Sequence, residues 1–286
     1  MYTNDKVIVP PIKCQGIKTK LIPFIRDNLE WTDEEGVWIE PFVGTGVVLF
    51  NIAPQKAICS DRNKHIINFY KGIQSKKITA KSVREYLEYH GAILAERGEE
   101  YYKEMRASFN ENGDPMAFLF LNRSDFNGMI RFNKKGGFNV PFCKKPERFS
   151  KSYITKICNQ VQAVADVMEG KDWTFLHCDW RDTMKKANKG DFIYLDPPYI
   201  GRDTSYVGEW SQEDAVDLSK YSHESKAKVA LSMWKENKYR VNEHLIEYWS
   251  DFEMREVKHF YFIGAKESNR NAMTEVLAIN NPLLNK

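Results

Sequence analysis

The sharpest chemical signal in the sequence is Ile193-Tyr-Leu-Asp196-Pro197-Pro198-Tyr199. An apolar strand there delivers a carboxylate into two prolines and an aromatic ring. Consecutive prolines fix φ and lack N–H groups, so the strand end is stiff and its carbonyls are free to accept. A carboxylate beside the Pro197 carbonyl makes a double acceptor, suited to an exocyclic amino group. Tyr199 offers a face on which a planar base can stack. Taken alone, the tetrad also fits a strand-ending turn whose aspartate caps a helix.

The second segment is Val37-Trp-Ile-Glu40-Pro-Phe42-Val-Gly44-Thr-Gly46. It reads as a buried strand running into a glycine turn and then a helix at 47–51. Glycines in such a turn let the backbone approach a ligand closely. Asp61 ends the next strand, where dinucleotide-binding folds place an acid on ribose hydroxyls. A lone Gly-x-Gly is more often the mark of a simple structural turn. No Gly-Lys-Ser/Thr follows, which disfavours nucleoside triphosphate chemistry.

Other chemistries find little support. His177-Cys178-Asp179 invites a metal or a nucleophile, and strand alternation puts His177 and Asp179 on one face. No further ligand pattern accompanies them, nor is there an H-E-x-x-H, so no metal is expected. A C5-cytosine methylase needs a cysteine nucleophile, usually after proline, and no Pro-Cys occurs. The five cysteines (14, 59, 143, 158, 178) are odd in number and form no C-x-x-C pair. Disulfides and structural zinc are therefore not expected, and a reducing cytoplasm is the simplest compartment.

Strand-like runs at 37–43, 57–61, 173–179, 191–195, 228–232, 259–263 and 275–279 would position these groups. Helical patterns at 64–73, 183–187, 212–221 and 242–249 separate several of them. Such alternation predicts an α/β sheet. Residues 75–122 differ: they read as three helices (80–96, 99–109, 115–122) without a strand. Short alternations at 129–133 and 138–142 flank Lys134-Lys135-Gly136-Gly137, which predicts a β-hairpin. A helix over 150–170 returns to the sheet. The expected organisation is a core of 1–74 and 150–286 interrupted by an insert over 75–149.

The chain has 286 residues, 42% of them hydrophobic and 28% charged, within the range of globular proteins. Mean hydropathy is −0.55, and no apolar run is long enough to span a bilayer. The N-terminus lacks the plan of a signal peptide. Net charge is only +3, but it is unevenly spread. Residues 123–151 carry eight Lys/Arg against two acids, and residues 1–26 carry five against one. Two basic segments on an otherwise acidic chain suggest a polyanion partner, although a solvated basic face fits charge alone equally well.

Taken in order, these segments resemble Dam-type (D12 class, α-group) DNA adenine-N6 methyltransferases. The resemblance rests on Lys13-Cys14-Gln-Gly16-Ile-Lys18, Glu40-Pro-Phe-Val-Gly-Thr-Gly46 and Asp196-Pro-Pro-Tyr199. It extends to Leu121-Asn-Arg-Ser-Asp-Phe-Asn-Gly-Met-Ile-Arg-Phe-Asn133 and Gly137-Phe-Asn-Val-Pro-Phe142, which are similar to that family's DNA-reading segment. It covers nearly the whole chain. The opening around Pro10–Lys20 and the stretch Phe126–Asn133 most resemble EcoRV-like members. Many members carry Trp where this chain has Cys14; the EcoRV-like ones also lack it.

The resemblance implies a Rossmann-like S-adenosylmethionine-dependent core, an inserted, mostly helical DNA-recognition domain and a basic hairpin. S-Adenosylhomocysteine would be the product. Cys14, Gly16, Lys18, Glu40, Phe42, Gly44 and Gly46 would line the cofactor pocket, with Lys18 by the methionine part. Asp61 would take the ribose, Asp179 would lie near the adenine, and Asp196 would also border the cofactor. Asp196, Pro197 and Tyr199 would be catalytic. Double-stranded DNA would meet Lys13, Arg123, Phe126, Asn127, Met129, Arg131, Asn133, Lys134, Lys135, Asn139, Pro141, Lys144 and Lys145. Phe126 would wedge into the duplex and Asn127 lie near the orphaned base. Arg131 would read a base, with Met129 and Pro141 in apolar contact with the site. Lys13 would read the guanine beside the target adenine, and the hairpin lysines would hold phosphates. The expected site is GATATC, or GATC, and the expected state a monomer. A cognate restriction endonuclease would share the site without touching the enzyme. An RNA or other amino-group methyltransferase, or a catalytically silent DNA-binding protein, would use the same core.

Overall fold

The computed structural model describes residues 6–32, 36–199, 210–260 and 272–280. Its sheet is built from β1 (Trp38–Glu40), β2 (Lys56–Asp61), β3 (Asp172–His177), β4 (Phe192–Leu195), β5 (Lys228–Asn237), β6 (Glu253–Phe260) and β7 (Ala272–Ile279). The order is β3-β2-β1-β4-β5-β7-β6. Strands β1 to β5 run parallel, and β7 is antiparallel to both β5 and β6. This is a Rossmann-like architecture with an antiparallel strand set into its edge.

Alternation along the strands sends residues to two cores. Trp38, Phe192, Tyr194 and Ala230 pack toward α1 (Ile22–Asn28), α2 (Val47–Ile52), α3 (Lys64–Gln74) and the insert. Ile39, Ile193, Leu195, Val229 and Leu231 pack toward α8 (Trp180–Met184), α9 (Gln212–Glu224) and α10 (Glu243–Trp249). Both faces are therefore covered, which explains why the central strands read as continuous apolar runs.

The insert holds α4 (Ala80–Arg97), α5 (Glu99–Asn112) and α6 (Pro115–Ser124), and α7 (Lys151–Met168) leads back to the sheet. Each boundary has a local cause. Thr79 and Ser82 form a capping box on α4. Gly98, at φ +57°, breaks α4 from α5. Asp114 caps α6 by accepting from Met116 N and Ala117 N, ahead of Pro115 at its first turn. The insert shares one apolar core with the sheet-side helices: Phe109, Phe118 and Phe138 join Ile66 and Phe69.

Several boundaries differ from the sequence expectation. β1 ends at Glu40, before Pro41, rather than at Val43. β5 continues to Asn237, and β6 begins at Glu253, well before His259. Helix α1 has no counterpart in that expectation. The tail of the run expected at 259–263, and the polar stretch Asn269–Asn271, lie outside the described residues.

The expected hairpin turn at Lys134–Gly137 is present, closed by Gly136 N donating to Asn133 O at 2.8 Å, but its arms are short. No continuous strand forms over 129–142, but Asn133 N donates to Gly137 O at 2.8 Å and Asn139 N to Arg131 O at 3.1 Å about the antiparallel Phe132–Phe138 bridge, and a second isolated bridge joins Asp125 to Phe142. Side chains take further backbone groups along the two arms. Asn110 of α5 accepts from Phe138 N at 2.7 Å, Tyr102 donates to Val140 O at 2.9 Å, and Arg131 donates to Asn139 O at 2.8 Å. Asn133 Oδ1 accepts from Lys135 N and Gly137 N, closing the basic turn.

Candidate active site and nucleic-acid interface

The expected chemical groups converge at the carboxyl ends of the parallel strands. Glu40 ends β1, Asp61 ends β2, Asp179 lies two residues beyond β3, and Asp196 follows β4. Connections leave β1 toward β2 on one side and β4 lies on the other. This is the switch point at which open α/β sheets bind ligands.

Asp196 meets the N-terminal segment there. Lys18 Nζ lies 3.0 Å from Asp196 Oδ1 and donates to the Tyr199 hydroxyl at 2.7 Å. Lys18 is 3% exposed and Asp196 27% exposed. The ammonium also stands 5.2 Å from the centroid of the Tyr199 ring. Burial pushes the Asp196 carboxyl above its ordinary range, Lys18 opposes the rise, and the buried Glu275 of β7 adds to it. Lys18 thus holds both ends of the Asp-Pro-Pro-Tyr segment.

The glycine turn is anchored from three sides. Asp61 Oδ2 accepts from Gly44 N at 2.9 Å and its Oδ1 from Asn63 N at 2.7 Å. The Tyr70 hydroxyl donates to Thr45 O at 2.5 Å, and Ser60 Oγ to Pro41 O at 3.1 Å. Gly44 has φ +47°, and a Cβ there would meet nothing within 4 Å, so the turn's surface is open to a ligand. Gly46 is different: a Cβ there would lie 2.5 Å from Phe50. Its glycine serves helix packing. Glu40 is buried and accepts from Trp38 Nε1 at 2.9 Å. Burial raises its pKa to about 8, with Trp38 opposing and Asp196 reinforcing the rise. Phe42 turns toward the other core, packing on Trp180 and edge-on to Trp210. Gly16, at φ +79°, is likewise open where a Cβ would stand.

Asp179 does not continue β3 beside His177, as alternation suggested. It caps α8, accepting from Arg181 N at 2.9 Å. Arg62 binds its other oxygen through Nε at 3.0 Å and also through Nη2. Cys178 is occupied by a contact with Thr183 Oγ1 at 3.3 Å.

The segment over 126–145 projects from the insert. Phe126 is 51% exposed, and its N–H donates to the carbonyl of the exposed Pro141 at 2.9 Å. Asn127 is exposed at φ +63°, and Met129 is half-buried. Arg131 is half-buried and clamped: Nε donates to Asn139 Oδ1 at 2.8 Å. Lys134, Lys135, Lys144 and Lys145 are exposed. Lys13 lies behind this segment. Its backbone exchanges two hydrogen bonds with Asn122, and its Nζ stands 5.7 Å from the Tyr153 ring centroid. Cys14 is half-buried next to it.

Arg123 departs from expectation. It is 3% exposed, donates to Gln160 of α7 at 2.5 Å and lies over Tyr153. It ties α6 of the insert to α7 and presents nothing to a duplex. Asn133 and Asn139 spend side-chain oxygens on the basic turn and on Arg131. Residues missed from sequence include Arg62, Trp38 and Tyr70. Only Arg62 carried a signal, as a charge directly after the strand-ending Asp61.

Comparison with known proteins bears on these features. A family model described as D12 class N6 adenine-specific DNA methyltransferase matches residues 15–263. The type II methyltransferase M1.LlaDCHI of Lactococcus lactis subsp. cremoris is 30% identical, covering 98% of this chain and 98% of that protein. A DNA adenine methylase of Vibrio cholerae serotype O1 is 29% identical, covering 96% of each chain. The type II methyltransferase M.MjaIII of Methanocaldococcus jannaschii is 27% identical over 96% of this chain and 99% of its own.

Proposed function

The chain belongs to the D12 class of N6 adenine-specific DNA methyltransferases, and from that premise we propose that it methylates an adenine flipped out of a specific duplex site, with S-adenosylmethionine as donor. The observation that carries this reading is Asp196, ending β4 beside the Pro197 carbonyl and held by Lys18 at 3.0 Å.

The residues present fit the donor. The turn at Gly44 is open, Asp61 keeps one lone pair on each oxygen beyond its two backbone bonds, and Asp179 stands at the end of the neighbouring strand. Lys18, Glu40, Phe42 and Gly16 border the same strand ends. When bound, S-adenosylmethionine supplies an electrophilic sulfonium methyl.

The protein's own work is positioning and electrostatics. Adenine N6 is a poor nucleophile because its lone pair is delocalised into the ring. Asp196 and the Pro197 carbonyl accept its two hydrogens and favour a pyramidal nitrogen. The amino proton then passes to Asp196. Flipping the base costs a few kcal/mol; stacking on Tyr199 returns about 1–3 kcal/mol. Residues 75–149 form the recognition unit and the remainder the catalytic core. Phe126 and Pro141 present apolar surface to the duplex, Arg131 reads a base, and the four turn lysines hold phosphate.

The EcoRV-like opening favours GATATC as the site; GATC is the alternative, since the Arg131 segment is shared by both kinds. The type II names of two relatives favour a restriction-modification role, with an endonuclease that recognises the same site independently. Modification of one strand at a time suits a monomer.

Methylation mapping tests the reading. The protein is incubated with S-adenosylmethionine and unmodified plasmid, and N6-methyladenine is located by sequencing, with Asp196→Ala as control. Modified GATATC, or modified GATC, is the expected result. Cofactor binding without any methylated adenine overturns it in favour of an RNA substrate or a silent DNA-binding protein.

A further inference from the structure

The ends of β2 and β3 carry an ion-pair network that the methyl-transfer chemistry leaves unused. Asp179 Oδ1 accepts from Arg181 N at 2.9 Å and lies 3.4 Å from Arg181 Nη1. Its Oδ2 takes Arg62 Nε at 3.0 Å and Nη2. A carboxylate offers about four lone-pair sites, so every site on Asp179 is engaged. Burial works against its charge, yet Arg62 and Arg181 hold the carboxyl below its ordinary range. An adenine amino group can therefore reach Asp179 only by displacing a donor. The Arg181 head is fixed elsewhere, with Nε and Nη2 on Asp217 at 3.1 and 2.7 Å and Nη1 on Asp214 at 2.9 Å. Arg62 is the donor that can leave.

Arg62 also has somewhere to go. Its Nη2 is 3.7 Å from Asp214 Oδ1 in the first turn of α9. That oxygen is bound by Arg181 Nη1 at 2.9 Å and keeps a second lone pair. Asp214 Oδ2 is committed to Ser211 N and Oγ, which fixes the carboxylate in place. Arg62 itself follows Asp61, so the guanidinium crosses from the ribose-side strand to the adenine-side one, the two being paired at Asp61 and His177.

We infer that Arg62 is a latch on the cofactor site: it occupies the Asp179 oxygen that the adenine amine takes, and moves to Asp214 when the cofactor enters. The latch rests on the reading of Asp179 as the adenine's partner. It makes Arg62 a residue that weakens cofactor binding, the opposite of what a charged residue lining a pocket ordinarily does. It also links cofactor occupancy to α9, the helix that follows the Asp-Pro-Pro-Tyr segment in sequence.

Calorimetric titration of the full chain with S-adenosylhomocysteine, and with its 6-deamino analogue in which hydrogen replaces the adenine amine, tests this. Arg62→Ala is expected to bind S-adenosylhomocysteine about tenfold more tightly, roughly one charge-assisted hydrogen bond no longer broken. Arg62→Gln gives the same sign. The 6-deamino analogue, which has no N–H to offer Asp179, is expected to show no such gain. Unchanged or weaker S-adenosylhomocysteine binding in both variants overturns the latch, as does an equal gain for the two ligands. Asp179→Asn examines the premise separately: it is expected to weaken S-adenosylhomocysteine and spare the analogue. Unchanged binding there removes Asp179 as the adenine's partner, and the latch with it.

Discussion

Lys18 Nζ and Asp196 Oδ1 form a 3.0 Å ion pair at the mouth of the sheet. One partner comes from the glycine-containing N-terminal segment and the other from the end of β4. The lysine is almost fully buried, so its charge is weakly screened and the pair couples strongly. Family resemblance assigned Lys18 to the cofactor's methionine part. The geometry gives it a second task, keeping Asp196 ionised against burial and against Glu275.

A pH-rate profile separates the two tasks. Asp196 must be ionised to accept from N6, and its raised pKa places the acid limb of kcat above the ordinary carboxylate range. Lys18→Met removes the opposing cation, so that limb is expected to move to still higher pH, with kcat recovering in alkaline buffer. A pure effect on KM for the cofactor, with the limb unmoved, would confine Lys18 to binding.

Glu40 predicts a pH dependence of stability. Its folded pKa is near 8, against about 4.3 in an unfolded chain. Between these values the folded state holds a proton that the unfolded state has released, so stability falls as pH rises from about 4 to 8. Glu40→Gln removes that slope. Thermal melts of the two proteins are expected to diverge as pH rises through this window, the variant being the more stable at pH 8. Parallel curves would show that Glu40 titrates normally.

The strand ends were legible because a buried parallel strand is an apolar run, and an acid that ends it must face the sheet's carboxyl edge. Asp61 and Asp196 stand out in the sequence for that reason. What sequence could not supply was longer-range. The arms of the basic hairpin stay short because Asn110 and Tyr102, both from α5, take backbone groups at Phe138 and Val140. Arg123 is buried because α6 aims it at Gln160 of α7, and no local pattern encodes that direction. The Arg62–Asp179 pair joins residues far apart in the chain, brought together by the register of β2 on β3.

Gly128 makes a case where two constraints coincide. It has φ +66°, and a Cβ there would lie 2.6 Å from Lys13 Cβ and 2.7 Å from its Cδ. Gly128→Ala therefore strains the turn and pushes Lys13 aside. Methylation is expected to fall by at least tenfold, a loss of about 1.4 kcal/mol, while cofactor affinity stays within twofold. Equal loss of both would indicate general unfolding instead.

Arg131 and the turn lysines should separate cleanly on DNA. Asn139 holds the guanidinium with two 2.8 Å bonds, one from its side chain and one from its carbonyl, and this limits the rotamers it can lose on binding. A preorganised bidentate arginine is worth about 1–3 kcal/mol of base discrimination. Arg131→Ala is thus expected to relax site choice by about ten- to a hundredfold at one base pair with little change in nonspecific affinity. Asn139→Ala, which leaves only the carbonyl contact, should relax it partway. The four lysines carry no such clamp and are exposed. Replacing Lys134, Lys135, Lys144 and Lys145 together should weaken all sequences alike and flatten the dependence of log K on log salt by up to about four. Competition binding at several salt concentrations, with cognate and scrambled duplexes, reads both effects at once. If Arg131→Ala flattened the salt slope and left site choice intact, it would be a phosphate contact and the reading of a base would pass to another residue.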